Sequence, residues 1–194
     1  MYVIAQSRSM VEGKGQFHAV RFYYDSVGLC QIVADFVAEG LNAGEPAIIV
    51  ATPAHSSRIE AFLRARGFDV AALKRSGDLF VRDAAAMVTS LMIDGAPSAA
   101  RFERLVGSMI ELARGESNRL VRVYGEMVDI LWKAGSTGAA SALESLWNAL
   151  ASNHAFFLLC GYALDGITHT THISEICGQH THVVSASGEV ALAR

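Results

Sequence analysis

The chain has 194 residues, with 16 Lys and Arg against 19 Asp and Glu, and a formal charge of −3. Hydrophobic residues make up 52% and charged residues 18%, which excludes a disordered tail and supplies enough apolar mass for one full domain with a sizeable core. The mild negative charge, with arginines and acids interleaved and no basic stripe, argues against direct nucleic-acid binding.

Residues 1–16 are small and polar, contain Gly13-Lys14-Gly15, and read as a flexible lead without the apolar core of a secretion signal. His18–Tyr24 alternates and is rich in β-formers, so it is expected to be a strand. Asp25 and Ser26 cap a helix whose Leu29, Ile32, Val33, Phe36 and Val37 recur at helical spacing up to Gly40. Pro46–Ala51 is continuously apolar, as in a strand covered on both faces. Thr52 is placed to cap the next helix, with Pro53 at its first position and Gly67 at its end. Leu79–Arg82 is a strand and Ala84–Met92 a helix; Asp94 to Ser98 form a loop that ends in a cap. A helix over Ala99–Arg114 buries Phe102, Leu105, Val106, Met109 and Ile110. Leu120–Tyr124 is a strand, and Gly125-Glu126 opens a helix that Gly135-Ser136 breaks before another through Leu143, Trp147 and Leu150. Ala155–Gly161 is a buried strand, Ile173–Gly178 a short helix and His182–Ser185 a last strand, leaving 187–194 as a tail. The longest apolar run, Ala155 to Leu164, is ten residues, well short of the roughly 18 to 20 that a membrane helix needs. Three cysteines in apolar segments, Cys30, Cys160 and Cys177, read as reduced thiols of a cytoplasmic protein.

Strands alternating with helices, several of the strands apolar throughout, predict an α/β fold. Its sheet is mostly parallel and carries helices on both faces, in a single unit over residues 17–186. Ligands collect at the carboxyl ends of such strands. The residues that fall there mix aromatic rings with a few polar groups, as small-molecule sites do: Tyr23, Tyr24, Asp25, Ser26, Thr52, His55, Tyr124, Glu126 and Tyr162. Caps and turn residues account for several of them equally well. The loop Tyr24-Asp25-Ser26-Val27-Gly28 has one glycine, no lysine, and a carboxylate where phosphate charge would lie. It is a poor cradle for a triphosphate. A second cluster, His169, His172, Cys177, His180 and His182, falls near the end of the chain. His180 and His182 are two apart and are expected on one strand face, with Cys177 approaching from the preceding helix. This gives His180, His182 and Cys177 as an alternative metal set of zinc-type ligands. Glu126 reads as either a first-turn helix acid or a base.

The run from His18 and Phe22-Tyr23 through Val33-Ala34-Asp35-Phe36 and Gly44-Glu45-Pro46 to Thr52-Pro53-Ala54-His55 resembles the MEDS domain, the methanogen/methylotroph, dichloromethane-regulator sensory domain. Further matching motifs are Val121-Arg122-Val123-Tyr124-Gly125-Glu126, Leu143-Glu144-Ser145-Leu146-Trp147-Asn148, Leu159-Cys160-Gly161-Tyr162 and Ile176-Cys177-Gly178-Gln179-His180-Thr181-His182. His18, His55, Glu126, His180 and His182 fall at recurrent family positions. The resemblance implies a RecA/KaiC-like three-layer fold with a degenerate phosphate loop. It also implies a non-catalytic input domain for signal transduction that binds a small organic ligand, a hydrocarbon derivative or one-carbon compound, and needs no cofactor. His18 joins the strand-end residues as a candidate ligand contact. The implied partner is a histidine kinase or DNA-binding transcription regulator, reached in trans if the chain works alone rather than as a piece of something longer. Self-association is expected by analogy with RecA-like domains. The alternatives are a nucleotide-binding RecA-like module without hydrolysis and a metal protein using the C-terminal His and Cys residues.

Overall fold

A computed structural model describes residues 17–166 and 170–193. The expected lead at 1–16 and His169 lie outside the described residues. Seven strands form one sheet in the order β3-β2-β6-β7-β1-β8-β9. They are β1 (Phe17–Tyr23), β2 (Ala47–Ala51), β3 (Leu79–Asp83), β6 (Val121–Gly125), β7 (Phe156–Ala163), β8 (His182–Val184) and β9 (Val190–Leu192). Every neighbouring pair is parallel except β8 with β9. The segment expected to be a tail therefore carries a strand. A two-residue hairpin, β4 (Met92–Ile93) and β5 (Ala96–Pro97), lies apart from the sheet. Its turn, Asp94-Gly95, has positive φ at both residues, the geometry that Asp-Gly favours.

The helices divide between the two faces because the strand residues alternate. Ala47, Ile49 and Ala51 of β2 join a core with α1 (Ser26–Asn42), α2 (Pro53–Ala65) and α3 (Val70–Ser76). Ile48 and Val50 join the opposite core with α4 (Ala84–Leu91), α5 (Ala99–Phe102), α6 (Ser108–Arg114), α7 (Met127–Lys133) and α8 (Thr137–Ala151). Ile176 of α9 (Thr170–Gly178) packs there too. Each β2 residue is buried on one side or the other, which is why the segment reads as an unbroken apolar run.

The helix expected over 99–114 is interrupted by a π-helical turn at Glu103–Gly107, between α5 and α6. Helix α3 has no counterpart in the sequence expectations. It is short and buries only Val70, so it leaves little periodic signal. Asp25 caps α1 as expected, its carboxylate accepting from Val27 N–H at 2.8 Å and Gly28 N–H at 3.0 Å. Among the described residues no helix is long and apolar enough to cross a membrane.

One charged side chain lies inside the first core. Arg122 of β6 is 1% exposed; its Nε donates to Glu45 at 2.7 Å and its Nη1 reaches Glu39 at 3.4 Å. The guanidinium also lies 5.0 Å from the Phe36 ring and 5.1 Å from the Phe157 ring. Paired charge and aromatic faces make this burial tolerable.

Candidate functional site

Parallel strands bring their carboxyl ends to one edge of the sheet, and there Glu126 gathers three elements. It follows β6, precedes α7, and donates its own N–H to Val50 of β2 at 3.0 Å. The carboxylate is 2% exposed. Its Oε2 accepts from Thr52 N–H at 2.8 Å, and its Oε1 accepts from the Tyr124 hydroxyl at 2.7 Å and from His55 Nδ1 at 2.5 Å. The Tyr124 hydroxyl reaches this position because residue 161 is glycine: a Cβ there would stand 2.7 Å from it. Tyr23 sets its ring edge-on to His55 at 6.0 Å and donates to Asp129 Oδ2 at 3.3 Å. The second Asp129 oxygen accepts from Ala163 N–H at 2.9 Å, and Lys133 Nζ lies 3.0 Å from Oδ2. Both phenols therefore act as donors. Burial raises their pKa values well above the usual tyrosine range, and the facing carboxylates, Glu126 for Tyr124 and Asp129 for Tyr23, add to the rise.

Of the strand-end residues singled out in the sequence, Tyr23, Thr52, His55, Tyr124 and Glu126 come together here. The other four do not, Tyr162 lying on the opposite face of the sheet. Tyr24 is 80% exposed. Asp25 spends its oxygens on N–H groups of its own turn, and Ser26 simply begins α1. Thr52 occupies the cap position of α2 without a side-chain capping bond; its backbone N–H serves Glu126 instead. Among the described residues no serine or cysteine side chain is bonded to the His55 imidazole, so the His55–Glu126 pair has no nucleophile attached.

His18 and Tyr162 lie on the other face of the sheet, in a second polar cluster. His18 Nε2 is 3.2 Å from Glu144 Oε2 and 3.5 Å from Cys160 Sγ. The Tyr162 hydroxyl donates to Glu144 Oε1 at 2.7 Å. His180 lies over His18 with ring centroids 4.1 Å apart, and its Nε2 is 3.4 Å from Glu144 Oε1. Burial pushes the His180 pKa down to about 4, which keeps its ring neutral at ordinary pH. The cluster differs from the expected metal set. His180 precedes β8 and turns toward Glu144, whereas His182 stacks on Phe17 at 4.9 Å on the opposite face. The two-residue spacing places side chains on one face only inside a strand, and His180 lies outside it. Cys177 is half-buried on α9 and does not belong to the group of ligating side chains.

Glu144 was not legible as a site residue, because a lone acid in a helix usually faces solvent. The available signal was its position: it lies three residues before Trp147, the largest buried residue of α8, and so shares its face. Asn148, one turn on from Glu144, accepts from His18 Nδ1 through Oδ1 at 2.9 Å and so lies on that face as well.

Beside this cluster a groove of about 490 Å³ opens between α7, α8 and α9, lined by Trp132, Thr137, Ser141, Glu144, Tyr162 and Gln179. The lining pairs two aromatic rings with a few polar groups.

This sheet order, with helices on both faces, defines a three-layer α/β protein with a mostly parallel sheet. A KaiC-like protein from the hyperthermophilic archaeon Pyrococcus horikoshii OT3 superposes with a TM-score of 0.58 at 14% identity, covering 86% of this chain and 70% of the other. At that identity the likeness concerns the fold alone. Over residues 17–181 the chain matches the family described as MEDS, MEthanogen/methylotroph, DcmR Sensory domain, and it belongs to that family. Its role is accordingly a sensory one. No curated protein sequence matches the chain.

Proposed function

We propose that this domain senses a small, weakly polar organic molecule held in the groove between α7, α8 and α9, and passes the binding event to a partner kinase or transcription regulator. The observation that carries the reading is the groove itself, with Trp132 and Tyr162 as aromatic walls and the Glu144 carboxylate at its side. Helix α7 offers a route outward. It starts at Glu126, is held in its middle by Asp129 to Tyr23 and Ala163, and presents Trp132 to the groove. A ligand pressed against Trp132 bears on a helix that packs on α8, α4 and β7 and is tied to the strand ends through Glu126 and Asp129, so Tyr23, His55, Tyr124 and Glu126 serve as the anchor against which α7 shifts. Two packings of α7 with different ligand affinity suffice for signalling.

The role is read as binding without catalysis. Glu126 has its oxygens occupied by three donors. The turn that would cradle a triphosphate has its N–H groups at Val27 and Gly28 filled by Asp25, which supports a reading without a bound triphosphate there.

Titrating the protein with short alcohols, ketones and halomethanes, while following Tm and tryptophan emission, tests the reading. A ligand at 100 times its Kd adds about 2.7 kcal/mol of stability, a rise of roughly 5–10 °C for a chain of this size. The emission change should vanish in Trp132→Phe. If every compound leaves both signals unchanged while ATP or GTP raises Tm at micromolar concentration, the nucleotide-binding alternative replaces it.

A further inference from the structure

The cluster on the second face brings together four side chains of metal-ligating type. Its ligating atoms are His18 Nε2, Cys160 Sγ, His180 Nε2 and a Glu144 carboxylate oxygen, all in buried residues and all within 4.8 Å of one another. A tetrahedral zinc ion with N and O ligands at about 2.0–2.1 Å and S at about 2.3 Å has ligand–ligand edges of about 3.3–3.6 Å. The observed separations are 3.2 Å from His18 Nε2 to Glu144 Oε2, 4.0 Å from Cys160 Sγ to the same oxygen, 3.5 Å from His18 Nε2 to Cys160 Sγ, and 3.4 Å from His180 Nε2 to the other Glu144 oxygen, Oε1. A contraction of about 1 Å across the widest pair closes the tetrahedron.

The outer contacts orient both rings for this role. The Asn148 amide donates through Nδ2 to the Gln179 carbonyl at 3.0 Å, so its Oδ1 faces His18 Nδ1 at 2.9 Å and accepts from it. His180 Nδ1 donates to the Ile176 carbonyl at 2.6 Å. With Nδ1 of each ring bonded to an oxygen, Nε2 of each ring is the atom that faces the cluster, in the arrangement that carbonyl partners impose on metal-bound histidines. The Tyr162 hydroxyl steadies Glu144 in the same way. His180 Nε2 is buried and has no hydrogen-bond partner, although its side chain is 0% exposed and faces a carboxylate. A lone pair aimed at a carboxylate with no donor between them calls for a cation.

We propose that His18, Glu144, Cys160 and His180 bind one divalent transition-metal ion of the zinc class. The Cys160 thiol gives up its proton to solvent as the metal–sulfur bond forms. The thiolate and carboxylate then cancel the charge of the dication, so the occupied site is neutral and suits its apolar surroundings. Thiolate and imidazole ligands select zinc over magnesium or calcium. The site does not depend on the ligand reading of the groove.

The test uses the whole chain, stripped with chelator and titrated with Co2+ as a spectroscopic substitute for zinc. One ion per chain is expected, with the visible bands of tetrahedral cobalt and a near-ultraviolet thiolate-to-cobalt charge-transfer band. Cys160→Ser should abolish the charge-transfer band; Cys177→Ser and His182→Gln should keep it. Circular dichroism establishes that each variant is folded. X-ray absorption of the zinc-loaded unmutated chain needs no variant, and should show one sulfur and three nitrogen or oxygen neighbours. Failure of the folded chain to take up metal, a charge-transfer band that survives Cys160→Ser or disappears in Cys177→Ser, or a shell without sulfur overturns the proposal.

Discussion

Asp129 shows how a single carboxyl can report on the site. It is 4% exposed, and burial raises its pKa against the pull of the Ala163 N–H and Lys133, with Glu126 adding to the rise. The folded chain therefore keeps this proton at a pH where the unfolded chain, with an aspartate value of about 3.9, has released it. The stability contributed by the group is complete below the unfolded value and is lost as pH rises through the folded one. Relative to Asp129→Asn, which does not titrate, the urea midpoint of the unmutated protein should fall as pH rises from about 4, then level off above the folded value. A gap of the opposite sign would mean that Lys133 outweighs desolvation. At this scale the sequence was legible where one residue's placement depends on its neighbours in the chain, as with Glu126 directly after a strand. It was illegible where the partner is remote. Nothing local to Glu144 or Cys160 announces His18, which lies on the far side of the chain in sequence.

At the scale of elements, the contact between α1 and β6 sets a tight limit. Gly40 lies against Arg122, and a Cβ there would stand 2.5 Å from Arg122 Cγ and 3.1 Å from its Nε. Arg122 cannot move aside cheaply, since Glu45, Phe36 and Phe157 hold it. Gly40→Ala should therefore destabilise the protein by about 1–3 kcal/mol in urea denaturation, although alanine favours an isolated helix by about 1 kcal/mol. A neutral or stabilising result would mean that α1 slides on the sheet. The long elements were legible for a related reason. Helix α1 carries its cap and its apolar spacing within one segment, and β2 is apolar because both its faces are covered. Short elements were not: α3 buries one residue, and β9 has two exposed residues and one half-buried, so neither has a periodic signature.

At the scale of the whole molecule, the three cysteines sample both faces of the sheet and its margin. Cys30 and Cys160 are each fully buried, on opposite faces, and Cys177 is half-buried. Burial pushes the Cys30 thiol up to about 11 and the Cys160 and Cys177 thiols above their usual value. A disulfide reagent at pH 8 should accordingly modify Cys177 alone, and slowly, in the native protein, and all three thiols in guanidinium chloride. Early labelling of Cys30 or Cys160, identified by mass, would reveal an opening of the layers.

Strand β1 lies between β7 and β8, and His18 exchanges hydrogen bonds with Thr181 across nearly the full chain. Strand β1 leaves the ribosome well before the two strands that flank it and waits for them. At about 5–20 residues per second, about 7–28 seconds separate the emergence of Phe17–Tyr23 from that of Phe156–Ala163. Throughout that interval the nascent chain holds an apolar ribbon with no neighbour. Its biosynthesis therefore favours chaperone custody over stepwise co-translational assembly.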